Sequence, residues 1–248
     1  MFCILVIKEA FGHSYTYCHL LQDCVYEKKV AEGKGLHARM IKDAFEPDIF
    51  LNTKLVIFYA KCGNLEDAGQ LFDKMPKRNS ISWNALLAEY CRRGLEEEVL
   101  SLFAQMGEAI MTPDEFSLGS VLKVCSRLVA LELGKQVHAY IIRSGFGFNV
   151  VLMTALVDMY EKCKCIKDAR RVFDEISLRD LVSWTAIIAG YVEQGNCKEA
   201  LNLFCKMPWF GIKPNKVTFR TASGFVSNFV LGSALVDMYA KCGSIKEA

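Results

Sequence analysis

The sequence predicts an all-α protein, a right-handed superhelical solenoid of antiparallel helix–turn–helix hairpins, on three observations. The chain copies itself: LVIFYAKCGNLEDA at 55–68, LVDMYEKCKCIKDA at 156–169 and LVDMYAKCGSIKEA at 235–248 are near repeats. One offset of 101 residues relates Tyr59 to Tyr160, Trp83 to Trp184, His37 to His138 and Pro113 to Pro214. Within each unit the apolar residues recur at helical spacing, as in Ala155, Leu156, Met159, Tyr160 and Cys163, then Ala169, Val172, Phe173 and Ile176. A stripe of that width faces a core, but one hairpin cannot bury it, so neighbouring hairpins must stack.

Each element of that prediction has a local cause. Segments 79–106 and 180–207 share the plan of the YAKCG segments: an apolar-striped helix, a polar or glycine turn, and a second striped helix. In the turns, Gly63-Asn64 and Gly195-Asn196 are read as the end of one helix and the cap of the next. Glycine accepts the left-handed backbone of a helix end, and an asparagine side chain accepts from free N–H groups at a helix start. Cys62, Cys163 and Cys242 recur at one repeat position and are read as packing thiols. His37 and His138 fall in second helices and are read as packing or groove residues rather than ligands.

Composition bounds the function. With 248 residues, 52% hydrophobic and 23% charged, the chain can bury a large core and is too apolar for disorder. Thirty Lys+Arg against 28 Asp+Glu leave a formal charge of +2, so any polyanion site must be local. The 11 scattered cysteines suit a reducing compartment better than a disulfide framework. Residues 1–13 are read as a leader without a clear targeting signal; the apolar run Met1–Ile7 is too short to span a bilayer, and no membrane association is expected. Cys163 and Cys165 lack CxxC spacing, and the chain contains no HxE…PCxxC, Walker or GxSxG motif. An enzyme, a bound metal and a cofactor are therefore not expected.

The repeat lengths alternate. Segments 14–48, 80–114, 115–149 and 181–215 have 35 residues, whereas 49–79 and 150–180 have 31. The next segment, 216–228, has only 13, so 22 residues of a full repeat are missing before the incomplete 229–248. Lys216–Ser227 is expected to form at most a short helix or loop, and the last hairpin to stack poorly. The chain stops inside a second helix and reads as a fragment of a longer protein or a truncated gene model.

These lengths, with LELGKQVHAYIIRSGF (131–146), YAKCG (59–63) and GIKPN (211–215), resemble pentatricopeptide repeat proteins of the plant type in which long, short and standard repeats alternate. On that resemblance 14–48 and 115–149 are long, 49–79 and 150–180 short, and 80–114 and 181–215 standard, with no C-terminal E/DYW domain within the chain. The resemblance implies sequence-specific binding of single-stranded organellar RNA, about one base per repeat, in RNA editing or processing. It implies a mitochondrial or chloroplast location, a monomer, and editing cofactors or a deaminase acting in trans. A tetratricopeptide-like scaffold that binds peptides and ignores RNA is the alternative from another class.

The resemblance also assigns residues. The fifth and last residues of a repeat read a base together: Thr53 with Asn79, Asn84 with Asp114, Thr154 with Asp180, and Thr185 with Asn215. The long repeats depart from this, with Cys18 or Gly119 at position five, so the Gly119/Asn149 pair should be silent. Second-position residues Phe50, Ile81, Phe116, Val151 and Val182 would wedge between bases. Read without the family, Asn79, Asp114, Asp180 and Asn215 are ordinary N-caps, a role compatible with base reading, and the five wedge residues are core packing.

Overall fold

The computed structural model describes residues 13–62 and 64–222, which contain helices and no strand. The helices are α1 (His13–Tyr26), α2 (Val30–Lys42), α3 (Ile49–Cys62), α4 (Leu65–Lys74), α5 (Ser80–Arg93), α6 (Glu96–Glu108), α7 (Glu115–Leu128), α8 (Leu131–Arg143), α9 (Val150–Lys162), α10 (Ile166–Glu175), α11 (Leu181–Glu193), α12 (Cys197–Lys206) and α13 (Lys216–Ala222). Short 3-10 turns follow α8 at Phe146–Phe148 and α12 at Met207–Phe210. The helices α3, α5, α7, α9, α11 and α13 begin at the first residue of a sequence repeat.

The chain divides into two compact units, Met1–Ser120 and Val121–Ala248. In the first, α1/α2, α3/α4 and α5/α6 form hairpins, and the first helices α1, α3 and α5 pack side by side. In the second, α9/α10 and α11/α12 form hairpins, α11 packs on α9 and α13, and α8 packs on α9. The apolar stripes are what these contacts bury. Leu156, Met159, Tyr160, Cys163, Ala169, Val172, Phe173 and Ile176 are all buried, and Ala155 is partly so.

Each unit is keyed by the same aromatic pair. Phe72 meets the fully buried Trp83 edge-on at 4.7 Å, and Phe173 meets Trp184 at 4.9 Å. An arginine seals each pair in a way periodicity does not reveal. Arg78 lies over the Phe72 ring and donates to the carbonyls of Phe72 and Asp73; Arg179 does the same for Phe173 and Asp174. A cation thus stacks on the aromatic face while its N–H groups add bonds to carbonyls at the ends of α4 and α10.

Both kinds of turn residue do their expected work. Asn64 caps α4 by accepting from the Asp67 N–H at 3.3 Å, and Asn196 caps α12 from Glu199 at 3.3 Å. Gly195 has a φ of +72°, whereas Gly63 lies outside the described residues. After α9 the turn runs through Lys164, whose φ of 61° is uncommon for a residue with a side chain. Cys163 Sγ lies 3.8 Å from Met159 Sδ, Cys62 is half-buried, and Cys242 falls outside the described residues. So do residues 1–12 of the leader and residues 223–248, with the truncated repeat's remainder and the last hairpin; within 216–227, α13 covers Lys216–Ala222.

The histidines turn out to be interface residues. His37 Nδ1 lies 2.9 Å from the Tyr59 hydroxyl, and His138 Nδ1 lies 2.9 Å from that of Tyr160. Each ties the second helix of one hairpin to the first helix of the next. One turn away the helices approach closely at a glycine, against a rigid ring in one case and a flexible methionine in the other. A Cβ on Gly33 would stand 2.2 Å from the Phe58 ring, and one on Gly134 would stand 2.4 Å from Met159 Sδ.

Two consequences are measurable. Gly35, in the same helix as Gly33, has open space where a Cβ would go. Gly35→Ala should therefore raise unfolding free energy by about 0.5–1 kcal/mol through backbone entropy. Gly33→Ala should lower it by roughly 1–3 kcal/mol, because the rigid, buried Phe58 ring must move. Urea titration of the two variants distinguishes opposite signs two residues apart. Separately, burial holds the His37 and His138 pKa values below their ordinary range, so the fold favours the neutral form of both rings. With folded values depressed, their contribution is present above the unfolded pKa of about 6.5 and is lost as pH falls through the folded values. Thermal unfolding from about pH 7.5 down to about pH 5 should show falling stability, and the fall should shrink in the His37→Asn/His138→Asn double variant.

Candidate nucleic-acid interface

Every described first helix from α3 onward is capped by the residue that ends the preceding repeat. Asp48 Oδ1 accepts from Leu51 N at 2.8 Å, Asn79 Oδ1 from Ser82 N at 2.8 Å, and Asp114 Oδ1 from Ser117 N at 3.0 Å. Asn149 Oδ1 accepts from Leu152 N at 3.0 Å, Asp180 Oδ1 from Ser183 N at 2.8 Å, and Asn215 Oδ1 from Thr218 N at 3.0 Å. At Asn79 and Asp180 the serine hydroxyl returns the contact to the cap's own N–H, closing a capping box. The capping role is thus real, and it occupies only one polar atom of each side chain.

At Asn79 and Asp114 the other atom meets position five of the same repeat, whereas at Asp180 the capping oxygen itself is shared. Asn79 Nδ2 donates to Thr53 Oγ1 at 3.1 Å, while the Thr53 hydroxyl donates to the Ile49 carbonyl at 2.7 Å. Asn84 Nδ2 donates to Asp114 Oδ2 at 2.7 Å. The Thr154 hydroxyl reaches Asp180 Oδ1 at 3.5 Å, the loosest of the three. Thr185 and Asn215 do not touch directly. The Thr218 hydroxyl stands between them, 3.1 Å from Thr185 Oγ1 and 3.0 Å from Asn215 Oδ1. Thr218 is fully buried and has no counterpart among the residues singled out in the sequence; its signal there is its third-position register with Ser82, Ser117 and Ser183.

Thr53 and Thr154 are themselves buried at 4% and 7% exposure, whereas Asn84 and Thr185 are half-exposed. Asn84 Oδ1 is buried with no hydrogen-bond partner. A buried acceptor left open costs about 1–3 kcal/mol, and a donor brought to it would recover that. Gly119 offers no side chain, and Asn149 serves as a cap alone. In the first repeat Cys18 is half-buried, while Asp48 takes a hydrogen bond from Ser14 at 2.7 Å; that bond and the one from Leu51 hold its carboxyl below the usual range.

The second position overturns the packing alternative. Phe50, Ile81, Phe116, Val151 and Val182 are 68, 57, 67, 74 and 62% exposed, so none of them is core. Two more residues complete the register, Tyr15 at 70% and Val217 at 50%, and the same repeat arithmetic would have found both. Large apolar side chains left in water at each described repeat, beside self-bonded amide and carboxylate pairs, set apolar ledges next to hydrogen-bonding edges within each unit. Flat π faces stack on such ledges, and base edges can exchange bonds with such pairs. Among the described residues no group of three or more His, Cys, Asp or Glu side chains could hold a metal ion, and no helix is long and apolar enough to cross a membrane.

Comparison with known proteins adds lineage to this geometry. The model of the family described as "PPR repeat" matches residues 53–80, 81–109 and 151–181, and that described as "PPR repeat family" matches 179–222. A mitochondrial pentatricopeptide repeat-containing protein of Arabidopsis thaliana is 37% identical over 94% of the chain and 41% of its own length. A chloroplastic one from the same plant is 38% identical over 94% of the chain and 31% of its own length. The chain therefore spans about two fifths or less of these relatives. The crystal structure of the pentatricopeptide repeat protein PPR10, in complex with an 18-nt psaJ RNA element, shares the fold at a TM-score of 0.57 and 21% identity, over 93% of this chain and 40% of that one.

Capping and pairing can be separated by mutation. Asp180→Ala should cost about 1 kcal/mol of unfolding free energy, while Asp180→Asn, which keeps an oxygen for Ser183, should stay within about 0.5 kcal/mol. Equal losses in the two variants under urea would show that Asp180 is not acting as a cap.

Proposed function

The chain belongs to the pentatricopeptide repeat family, and from that premise we propose that it binds single-stranded RNA in a sequence-dependent way, about one base per repeat. The observation that carries this reading is the register of exposed apolar residues at position two beside polar pairs at positions five and last. Phe50, Ile81, Phe116, Val151 and Val182 would separate the bases. Thr53/Asn79, Asn84/Asp114, Thr154/Asp180 and Thr185/Asn215 would read their edges.

The chemistry of each pair supports a distinct preference. At Asn84/Asp114 the Asn84 amide carries an unpartnered but buried Oδ1; rotation of the amide away from Asp114 would present that acceptor to the N3–H of uracil and Nδ2 to a uracil carbonyl. On the family's pattern Thr with Asn favours adenine and Thr with Asp guanine, while Gly119/Asn149 is silent. The core read by residues 49–215 is then 5′-A-U-N-G-A-3′. We read the chain as a binding module in organellar RNA editing or processing, acting in mitochondria or chloroplasts as its mitochondrial and chloroplastic relatives do. Any catalysis would come from editing cofactors or a deaminase in trans.

Thr154→Asn turns the fourth pair into Asn/Asp. Fluorescence anisotropy with RNAs differing only at the fourth base should show preference moving from G to U by about tenfold, with other positions unchanged and binding weakening as salt rises. Equal binding to both RNAs before and after the change would sink the assignment, and indifference to RNA altogether would favour a peptide-binding scaffold.

A further inference from the structure

A cleft of about 330 Å³ opens between α4, α5 and α6, with Gly69, Asp73, Tyr90, Glu97, Glu98 and Ser101 among its walls. The internal repeat shows what this cleft lacks. Shifted by 101 residues, Asp174, Tyr191 and Glu199 reproduce Asp73, Tyr90 and Glu98, but Arg170 stands in the place of Gly69. Arg170 fills the matching site between α10, α11 and α12. Its Nε donates to Asp174 Oδ2 at 2.8 Å and its Nη1 to Glu199 Oε1 at 2.7 Å, with Tyr191 as a further hydrogen-bond partner. Its side chain is only 28% exposed. Burial opposes the charge of this guanidinium, and the bonds to Glu199 and Asp174 outweigh that, leaving its pKa raised.

The first unit keeps the three partners and omits the cation. Lys198 is also replaced there, by Glu97, which adds a third carboxylate to the walls. Negative charge has gathered: burial, then Asp73 and Glu98, push the Tyr90 hydroxyl above its ordinary pKa. Arg78 lies 3.6 Å from Asp73 Oδ1 and is engaged with the Phe72 ring and the end of α4. Space is available, because a Cβ on Gly69 would have only the Tyr90 hydroxyl within 4 Å, at 3.2 Å.

We propose that the cleft beside Gly69 is a binding site for a guanidinium group, filled by an arginine side chain of a partner polypeptide where the second unit uses its own Arg170. The planar fork of a guanidinium matches two carboxylates and a phenol disposed as Asp174, Glu199 and Tyr191 are, whereas an ammonium is a point charge that meets them one at a time. A peptide arginine is favoured over the free amino acid, whose α-carboxylate would meet three acidic walls. The site shares no residue with the RNA-reading pairs, so the two stand or fall separately.

The test uses the whole 248-residue chain. Nα-acetylarginine N-methylamide, titrated while amide shifts of Gly69 and Tyr90 are followed by NMR, should saturate with a Kd on the order of 1 mM. Free arginine and the lysine analogue should bind at least fivefold more weakly, Glu98→Gln should weaken binding at least fivefold, and Gly69→Arg should abolish it by supplying the guanidinium in cis. As a second readout, Gly69→Arg should raise Tm above Gly69→Gln, and Glu98→Gln should erase that difference. Affinity for RNA should change less than twofold in all three variants. No saturable binding to the parent chain, or equal binding by the parent chain and Gly69→Arg, would overturn the proposal.

Discussion

The hydrogen bond from a first helix's free N–H to the side chain that ends the preceding repeat is the contact on which the rest of this chain depends. Asp48, Asn79, Asp114, Asn149, Asp180 and Asn215 all make it. Four N–H groups at each helix start have no partner within the helix, and a polar side chain placed there is worth about 1 kcal/mol. The bond also fixes the rotamer of the capping residue. With one oxygen held on the backbone, the spare atom of Asn79 or Asp114 can point only where Thr53 or Asn84 stands. On the proposed RNA-binding reading, a side chain immobilised for stability would thereby be pre-oriented for recognition, with little further entropy to lose when a ligand took over its second bond.

The caps set where each first helix begins, but burial sets what it leans on. A hairpin of 31 or 35 residues has one wet side and one apolar stripe, and the stripe is covered only by the next hairpin. The keys between hairpins are specific rather than greasy: Phe72 against Trp83, Phe173 against Trp184, His37 on Tyr59, His138 on Tyr160. Each key joins a second helix to the first helix that follows it. That leaves position two of the first helix unused by packing, which is why residues as large as Phe50 and Phe116 stay in water.

Much of this was legible in the sequence because it is periodic. The 101-residue offset and the helical stripe fixed hairpin boundaries, and the turn chemistry of Asn64 and Asn196 named their caps. The pairs Thr53/Asn79, Asn84/Asp114 and Thr154/Asp180 were reached only through family resemblance, since nothing in spacing says that residues 26 or 30 positions apart meet. Burial at position two could not be decided at all: an apolar residue next to a helix start packs inward or stands outward depending on the neighbouring hairpin's path. Thr218 escaped for a related reason. Its hydroxyl matters because it intrudes between two other side chains, and that depends on distances of about 3 Å that no pattern encodes.

The places where the repeats disagree carry information that their agreement hides. At the last turns of the first helices, the first unit has Ala60 and Glu89, whereas the second has Glu161 and Gly190. A Cβ on Gly190 would stand 2.6 Å from Glu161 Cγ, so in the second unit the missing side chain is what admits the carboxylate. In the first unit the small residue and the carboxylate have changed places, and Glu89 is held by Arg92 and Arg93. One buried carboxylate per unit survives the exchange, though neither position keeps its residue type. Glu161 has the worse bargain: burial raises its pKa, one oxygen is unpartnered, and Lys162 alone offsets the charge. Position-by-position comparison of repeats would score all four residues as noise. Taken as pairs across an interface they are a single conserved quantity of volume and charge, and the same bookkeeping at Gly69 and Arg170 is left unbalanced.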